Sequence, residues 1–494
     1  MNITLTNVKE AYQQLKRHLY YERLDLDARH RIVQFESGYN FDIDGRLKTV
    51  EHWIKKFSNS EGVGRSVKKL VESIDINVFV KKVLRESDDN TSNFITDRIH
   101  TDNFKLEKEN AFVSIPVELQ ILGTLWLNSI GAKIDKNLIN HCYGNRLIKR
   151  DNEQDLQLNG RLFKIYHFQY ARWWKTGLAK AKAILRKDKE DVVMLNFDLK
   201  SFYHSTCVDK NVLRTRVKYE KLSKHEKFLH RVLENVLEMY NNKLKIYNLN
   251  KNLEGWALPI GYIASPIIAN DYLSGFDNDI VKNVRPSYYG RYVDDILVVF
   301  KSGTPKEDDA KTVDQKLIPE LNKLDKNDEA REAVYRFIKY LGDRFNIIKT
   351  NDDIRIEIKG TKGAELQLEK LFVYELDKRS PSNLIESFIQ DQHSKSYEFQ
   401  FESEENDNVS KEFGNLLFTQ SFEKEEASRA KIKPINQNKF EISVFLSRLI
   451  RRSTSSDKYT HRIQLQNVIS YYKGANCIEK LDIVGENYSG HSRK

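Results

Sequence analysis

Apolar residues recur at spacings of three and four along most of the chain, a periodicity that predicts mainly helices. Only 8 proline and 21 glycine residues interrupt the 494-residue sequence. Two short runs rich in β-branched residues break this pattern, VVMLNFDL at 192–199 and YYGRYVDDILVVF at 288–300. They predict strands with carboxylates at their ends. A later segment has apolar positions on one helical face, which predicts a layer over the sheet: Ala330, Val334, Phe337, Ile338 and Leu341.

The same pattern divides the chain into three regions. Residues 1–110 are charged and predict a helical N-terminal region. An apolar helix centred on Leu119–Leu127 opens a region of mixed helices and strands, which we place at 111–379. A Ser-Pro pair suited to a helix start introduces residues 380–494, which predict a mostly helical C-terminal domain. The predicted fold class is therefore α+β, an antiparallel sheet with packed helices between two helical regions.

Charge and cysteine usage narrow the class of protein. Lys and Arg number 81 against 71 Asp and Glu, giving a formal charge of +10, which suits a polyanionic partner without requiring one. The cysteines, Cys142, Cys207 and Cys477, are far apart and form no CxxC pair. This excludes a disulfide framework and predicts a cytoplasmic location. No apolar run approaches the roughly 18 residues of a spanning helix. The first residues also lack the apolar core of a signal peptide, so no membrane association is expected.

Two adjacent acids, Asp294 and Asp295, lie between the aromatic Tyr292 and the apolar run 296–300. Burying charge beside apolar surface is costly unless a counter-ion compensates. A tight turn between two strands would aim both carboxylates at one point, where Mg²⁺ would supply that compensation. The alternative is a solvated Asp-Asp turn in an ordinary hairpin.

A third acid has a similar setting, because Asp198 follows the apolar run 192–197. If the two predicted strands are neighbours in one antiparallel sheet, Asp198 and Asp294 can bracket two Mg²⁺ ions. One ion would activate a primer 3′-OH and the other would hold a triphosphate. Such a pair predicts in-line phosphoryl transfer. The alternative for Asp198 is an acid that caps the turn after its strand.

Three segments in this order resemble the palm of reverse transcriptases. NFDLKSFYHST (196–206) is similar to the first palm motif, LPIGYIASPIIANDYL (258–273) to the second, and YVDD (292–295) to the third. The stretch YGNRL (143–147) is similar to one that precedes the palm in the bacterial defence-associated and abortive-infection group. The resemblance covers about 110–380. It implies right-hand polymerase fingers and palm there, followed by a thumb-like or α-repeat domain.

The resemblance also implies the metal site, position by position. Asp198, Asp294 and Asp295 match the metal-binding acids of the family, with Leu199 as a further metal-binding position. The implied cofactors are two Mg²⁺ ions, with Mn²⁺ as an alternative. In the family, Asp295 is often the least directly coordinated of the three acids.

Further positions match the substrate site of the family. Tyr203 stands where an aromatic ring lies under the incoming sugar and clashes with a 2′-hydroxyl, which favours deoxynucleotides. The alternative for Tyr203 is core packing. In the second motif, Gly261 lets backbone approach the nucleotide, Ser265 opens a helix, and Asn270 is expected on the face turned to the site.

The match has one departure and one ambiguity. Ile260 stands where many reverse transcriptases have Gln, so contacts to nucleotide or template must differ there. Lys349 and Lys370 both match a late-palm lysine that stabilises or protonates the leaving pyrophosphate. We prefer Lys370 because a predicted strand follows it immediately. The alternative for either one is a solvated lysine.

Aromatic and basic residues alternate just ahead of the palm, in Arg172-Trp173-Trp174-Lys175. The resemblance places the fingers here, so Arg172 and Lys175 are expected to pair with phosphates while an aromatic ring stacks on a base. The alternative is that Trp173 and Trp174 belong to the core.

The implied activity is RNA-directed DNA polymerase, a nucleotidyltransferase that consumes dNTPs and makes DNA. Its expected partner is an RNA template or a non-coding RNA. Its expected role is bacterial antiviral defence. We also expect contacts between copies of the chain. Ile260 and the 24 tyrosines keep open template-independent or protein-primed synthesis by the same palm. A catalytically silent RNA-binding scaffold is a third hypothesis, which the intact acids disfavour. RNA-directed RNA synthesis and intron mobility also remain as alternatives.

Overall fold

The computed structural model describes residues 3–21, 26–37, 42–85, 104–148, 161–247, 255–302, 328–349, 354–376 and 378. The chain divides into two units, residues 1–390 and 391–494. All described residues lie in the first unit. The helical domain predicted at 380–494 therefore lies outside the described residues.

Helices dominate the N-terminal region, as predicted, and the first four are α1 (Leu5–Tyr21), α2 (Leu26–Ser37), α3 (Ile43–Phe57) and α4 (Arg65–Glu72). Helix α1 packs against α3 and against a later apolar helix, α5 (Val117–Trp126). Apolar residues at helical spacing explain this packing. In α3 the buried stripe consists of Leu47, Val50 and Ile54.

An antiparallel hairpin follows α4, formed by β1 (Asp75–Arg85) and β2 (Phe104–Ser114). The expectation of a helical region at 1–110 is therefore wrong at its C-terminal end. β-branched residues recur at every second position there, at Ile76, Val78 and Val80. This spacing is the period of a strand, and the high charge of the region as a whole obscured it.

The central region alternates helices and strands. A five-residue π-helical turn, Leu127–Gly131, joins α5 to the next helix. The further helices are α6 (Ala132–Asn137), α7 (Tyr166–Ala183), α8 (Phe202–Ser205), α9 (Lys210–Arg216), α10 (Lys224–Ile246), α11 (Ser265–Tyr272), α12 (Ser274–Asp279) and α13 (Asp328–Leu341). The further strands are β3 (Val192–Phe197), β4 (Tyr288–Tyr292), β5 (Asp295–Lys301), β6 (Phe345–Lys349), β7 (Ile354–Ile358) and β8 (Phe372–Leu376).

A four-stranded sheet organises this region, with the strand order β4-β5-β3-β8. Its three strand pairs are all antiparallel. Both predicted strands are present, and they are neighbours, because β3 pairs with β5 in a register that places Phe197 opposite Ile296. The C-terminal end of β3 therefore meets the N-terminal end of β5.

Side chains alternate between the two faces of this sheet, as the strand period requires. Val193, Leu195 and Phe197 of β3 join the large core that includes α10 and α11. Val192 and Met194 join a second core that includes residues of α7. The predicted layer over the sheet is confirmed in α13, where four of the five predicted positions are buried: Val334, Phe337, Ile338 and Leu341. The side chain of Ala330 lies outside the described part of the chain.

Candidate active site

The two adjacent acids lie at the tip of the β4–β5 hairpin. Tyr292 pairs with Asp295, so Val293 and Asp294 alone form the connecting turn. Val293 has a φ of +60°, a left-handed conformation that β-branched residues rarely adopt. Two-residue hairpin turns normally place glycine or asparagine at such positions. The turn is therefore strained at the residue before Asp294.

The pairing of β3 with β5 brings Asp198 to this turn. Asp198 directly follows β3 and is 6% exposed. Burial raises the pKa of Asp294 well above its ordinary value, and the carboxylates of Asp198 and Asp295 raise it further. Like charges shift a pKa in this way only at short range. The fold thus brings Asp198 together with two adjacent acids from a distant part of the sequence.

A lysine approaches the same carboxylates. The ammonium group of Lys370 donates a hydrogen bond to Oδ2 of Asp198. Burial acts to lower the pKa of Lys370, but the three carboxylates, Asp198 first, raise it above its ordinary value. Lys370 ends the turn Leu368–Lys370, and one residue, Leu371, separates it from β8. The side chain of the other candidate, Lys349, lies outside the described residues.

The donor set fits a hard cation. Oδ1 of Asp198 is buried and makes no hydrogen bond in the described part of the structure, and a buried acceptor of this kind needs a partner. Carboxylate oxygens are the ligands that Mg²⁺ prefers. Within the described residues, however, no group of three His, Cys, Asp or Glu side chains is arranged so that it could hold a metal ion. Lys370 neutralises Asp198 in this arrangement, so ion binding would require its ammonium group to move.

Leu199 contributes no side-chain donor, because its isobutyl group is buried in the core. Its backbone pairs with Leu366 in an isolated bridge. The hydrogen bonds flank that pair: Gln367 N donates to Asp198 O at 2.8 Å and Lys200 N donates to Glu365 O at 2.8 Å. Of the atoms of Leu199, the backbone carbonyl oxygen is the one that would serve as a metal ligand.

Tyr203 lies beside the acids. Burial raises the pKa of its phenol well above the ordinary value, the Asp294 carboxylate adds to this, and a hydrogen bond with Asn145 opposes it. Its ring meets Phe202 edge-on and packs against the large core. Tyr203 therefore packs against the core on one side and lies close to Asp294 on another, so the two sequence interpretations are compatible.

In the second motif, Gly261 has a φ of +94°, which explains the glycine. Its carbonyl accepts a 2.7 Å hydrogen bond from Nε2 of Gln120, and Oε1 of Gln120 accepts from the Ile263 backbone N–H at 3.0 Å. Gln120 thus fixes the loop around Gly261. Sequence reasoning missed it, since one glutamine in an apolar helix is only a weak signal. The carbonyl of Ile260 accepts from Val113 N at 2.8 Å, which attaches this loop to β2.

Ser265 and Asn270 have side chains directed into the protein. Oγ of Ser265 donates to the carbonyl of Pro259 at 2.7 Å, and the hydroxyl is buried. Nδ2 of Asn270 donates to the carbonyl of Gly144 at 2.9 Å, and its Oδ1 accepts from Arg291 at 3.0 Å. Both side chains therefore brace the backbone around the site.

The loop containing the YGNRL stretch lies along β4. Arg291 N donates to His141 O at 2.9 Å, and Tyr143 N donates to Arg291 O at 2.8 Å. A Cβ atom added at Gly144 would lie 2.6 Å from the backbone nitrogen of Val293, so the loop touches the turn itself. From the sequence, this stretch was noted only because it resembles one that precedes the palm in related enzymes, and no role was predicted for Gly144.

Ahead of the palm, the aromatic residues are buried, whereas the basic residues beside them are exposed. Trp173 and Trp174 are 1% and 7% exposed, which confirms their core interpretation. Arg172 and Lys175 are exposed on α7. Arg146 is not a free surface cation, because it donates to Asp135 Oδ1 at 2.7 Å and to Cys142 O at 2.9 Å, both within the fold.

An acid-lined hairpin tip on an antiparallel sheet packed with helices is what the resemblance to a polymerase palm predicts. In agreement, residues 139–345 match the family model described as reverse transcriptase (RNA-dependent DNA polymerase). The chain thus contains a reverse-transcriptase domain, and its enzyme class is RNA-directed DNA polymerase, a nucleotidyltransferase. The match includes Asp198, Tyr203, Asp294 and Asp295 but ends before Lys370. No curated protein matches the chain.

Among the described residues, every helix is either too short or too polar to cross a membrane.

Proposed function

We propose that this site adds dNTPs to a 3′-OH by a two-metal mechanism, with Asp198, Asp294 and Asp295 as the metal-binding side chains and the Leu199 carbonyl as a further ligand. The observation that carries the proposal is the convergence of three carboxylates, one with a buried oxygen that has no partner in the described structure. Two bound Mg²⁺ ions, or Mn²⁺ in their place, would activate the attacking hydroxyl and neutralise the triphosphate.

The protein contributes charge and position. Asp294 must be ionised to hold a cation, and its raised pKa means that ion binding and proton release are coupled. Lys370, once displaced from Asp198, is the nearby cation that would neutralise or protonate the departing pyrophosphate. Both roles follow from the charges gathered at the end of β3.

Sugar selection is proposed for Tyr203, whose ring lies beside Asp294. Gly261 contributes a backbone that carries no side chain near the nucleotide. Ser265 and Asn270 are proposed to act through the loops they brace rather than by touching substrate. Arg172 and Lys175, exposed on α7, would contact phosphates of the template or the triphosphate.

The larger assignment rests on the resemblance. We propose a right-hand arrangement with fingers and palm at 111–379, an N-terminal region at 1–110, and a thumb-like or α-repeat domain at 380–494. The proposed partners are an RNA template or a dedicated non-coding RNA and the DNA product. A cytoplasmic role in bacterial antiviral defence, with association between copies of the chain, is supported only by the likeness of the YGNRL stretch.

DNA synthesis tests the proposal directly. Full-length protein, its co-purifying RNA, Mg²⁺ and labelled dNTPs should give a product that Asp294→Asn abolishes, because the amide cannot replace an anionic metal ligand. Asp188→Asn is the matched control, since it removes a surface carboxylate whose partner, Lys301, keeps a second contact with Glu190. Absence of any Asp294-dependent product would refute the proposal.

The identity of the nucleic acid follows from the same material. Nucleic acid that co-purifies with wild-type protein and with Asp294→Asn should be sequenced in parallel. RNA in both samples and complementary DNA in the wild type alone would support templated synthesis. DNA that stays attached to the protein after nuclease treatment would favour protein priming instead.

A further inference from the structure

An arginine lies fully buried beneath the β4–β5 turn. Arg291 of β4 is 0% exposed. Its Nε donates to Oδ1 of Asp277 at 2.8 Å and its Nη2 donates to Oδ2 at 2.6 Å. Burial alone would lower the pKa of Arg291, but the Asp277 carboxylate raises it well above its ordinary value. The guanidinium therefore stays charged inside the protein.

The remaining nitrogen of the guanidinium reaches the turn itself. Nη1 of Arg291 donates to the backbone carbonyl of Val293 at 2.7 Å and to Oδ1 of Asn270 at 3.0 Å. That carbonyl belongs to the peptide group joining Val293 to Asp294. Since Val293 has a φ of +60°, its conformation persists only if surrounding contacts impose it. The hydrogen bond from Arg291 is such a contact.

A gain in the stability of the fold does not by itself explain why a charged residue is buried here. The desolvation of a buried ion pair largely offsets its attraction, and an apolar residue of similar volume would often serve equally well. A planar guanidinium, in contrast, donates in several fixed directions at once. Here it joins α12, α11 and the turn through Asp277, Asn270 and Val293.

We propose that Arg291 is a positioning residue: it holds the strained peptide between Val293 and Asp294 and thereby directs the Asp294 carboxylate toward Asp198. The inference rests on the proposed role of Asp294 as a metal-binding residue. Arg291 lies outside the acid motif, and the family match assigns no role to it.

The first test replaces the guanidinium group of Arg291 by an ammonium group, which keeps the positive charge. In Arg291→Lys one ammonium group can pair with Asp277 but cannot also hold Asn270 and the Val293 carbonyl. Binding of Mg²⁺ is measured as the rise in melting temperature of the full chain, with Asp294→Asn as the blank. We expect Arg291→Lys to need at least fivefold more Mg²⁺ for half of the wild-type rise. We also expect its dNTP incorporation to fall by about tenfold.

Arg214→Lys is the matched control. Arg214 also forms a two-pronged ion pair, with Glu234, but that pair links α9 to α10 rather than to the turn. We expect Arg214→Lys to shift the melting temperature while leaving the Mg²⁺ requirement unchanged. If Arg291→Lys folds with the wild-type Mg²⁺ requirement and rate, the proposal is wrong.

A rescue experiment separates positioning from general support of the fold. Glycine adopts a positive φ without strain, so Val293→Gly should reduce the need for an external contact at the turn. The double variant Arg291→Lys/Val293→Gly should therefore regain Mg²⁺ affinity relative to Arg291→Lys alone. No recovery would mean that Arg291 only neutralises Asp277.

The remaining outcomes are also informative. Should Arg291→Lys fail to fold, the double variant should fold, and its failure as well would contradict the proposal. If the wild type binds Mg²⁺ through Asp294 but makes no DNA, the proposed function fails while the positioning role of Arg291 remains testable by ion binding. If the wild type makes DNA and Arg291→Lys matches it, only the positioning role fails.

Discussion

Asp294 is partly buried beside two negative charges, and its loss of solvent and these charges raise its pKa above the ordinary value. An acid whose pKa is raised by folding stabilises the protein fully below its unfolded pKa, about 3.9 for aspartate. That contribution is lost as pH rises through the folded pKa. Without divalent ions, the free energy of unfolding should thus decline as pH rises from about 4 toward neutrality. Asp294→Asn should remove this decline and raise the free energy of unfolding at neutral pH by about 1 to 3 kcal/mol.

Unfolding by urea across this pH range, with and without Mg²⁺, measures the effect. Mg²⁺ should restore stability at neutral pH in the wild type and change Asp294→Asn much less. Identical pH profiles for the two proteins would show that the three carboxylates do not interact as their geometry indicates.

Substitutions that change the size of the Tyr203 side chain test its proposed role in sugar selection. Tyr203→Ala opens the space under the incoming sugar, so the preference for dNTPs over rNTPs should fall by about 10- to 200-fold, the usual range for a packing difference. Tyr203→Phe keeps the ring and should retain most of the preference, although it loses the hydrogen bond with Asn145. Incorporation of matched dNTPs and rNTPs is the measurement. Equal selectivity in the alanine variant and the wild type would leave Tyr203 with a packing role alone.

At the scale of elements, the loop beside β4 lies in close contact with the turn. A Cβ at Gly144 would lie 2.6 Å from Val293 N and 2.7 Å from its Cγ2. Gly144→Ala should displace the turn, costing about 1 to 3 kcal/mol of overpacking, and should reduce DNA synthesis at least tenfold. Gly275→Ala is the control, because it lies in α12 with no atom within 4 Å of an added Cβ. Similar activity in both variants would exclude the loop from positioning the turn.

The sequence predicted the elements that follow a regular period. The strands at 192–197 and 295–301 and the buried face of α13 were predicted correctly, because alternation and helical spacing are local signals. The hairpin β1–β2 was missed, since its alternation is embedded in a charged region. Positions whose role depends on distant contacts, such as Gln120 and Gly144, leave no periodic trace.

The same distinction holds for the site. The acids could be proposed from the sequence because two carboxylates inside an apolar run need a compensating charge. Arg291 belongs to the same run, but its partner Asp277 lies on another element, and nothing local announces the pair. Ser265 and Asn270 were predicted near the site from the sequence, whereas their bonds to the backbone carbonyls of Pro259 and Gly144 depend on distant contacts that the sequence does not show.

At the scale of the whole molecule, the net charge of +10 favours binding of nucleic acid but does not locate it. If Arg172 and Lys175 contact phosphates, replacing both by alanine should weaken RNA binding and reduce the slope of log K against log salt by about 2, one for each lost contact. Lys68→Ala/Lys69→Ala removes the same charge from exposed positions on α4 and is the control. Binding of a fixed RNA between 50 and 200 mM salt, roughly the range over which such slopes are measured, separates the two variants. A reduced slope for the α7 pair alone would locate the nucleic acid on that helix, whereas equal reductions would mean that only the total charge matters.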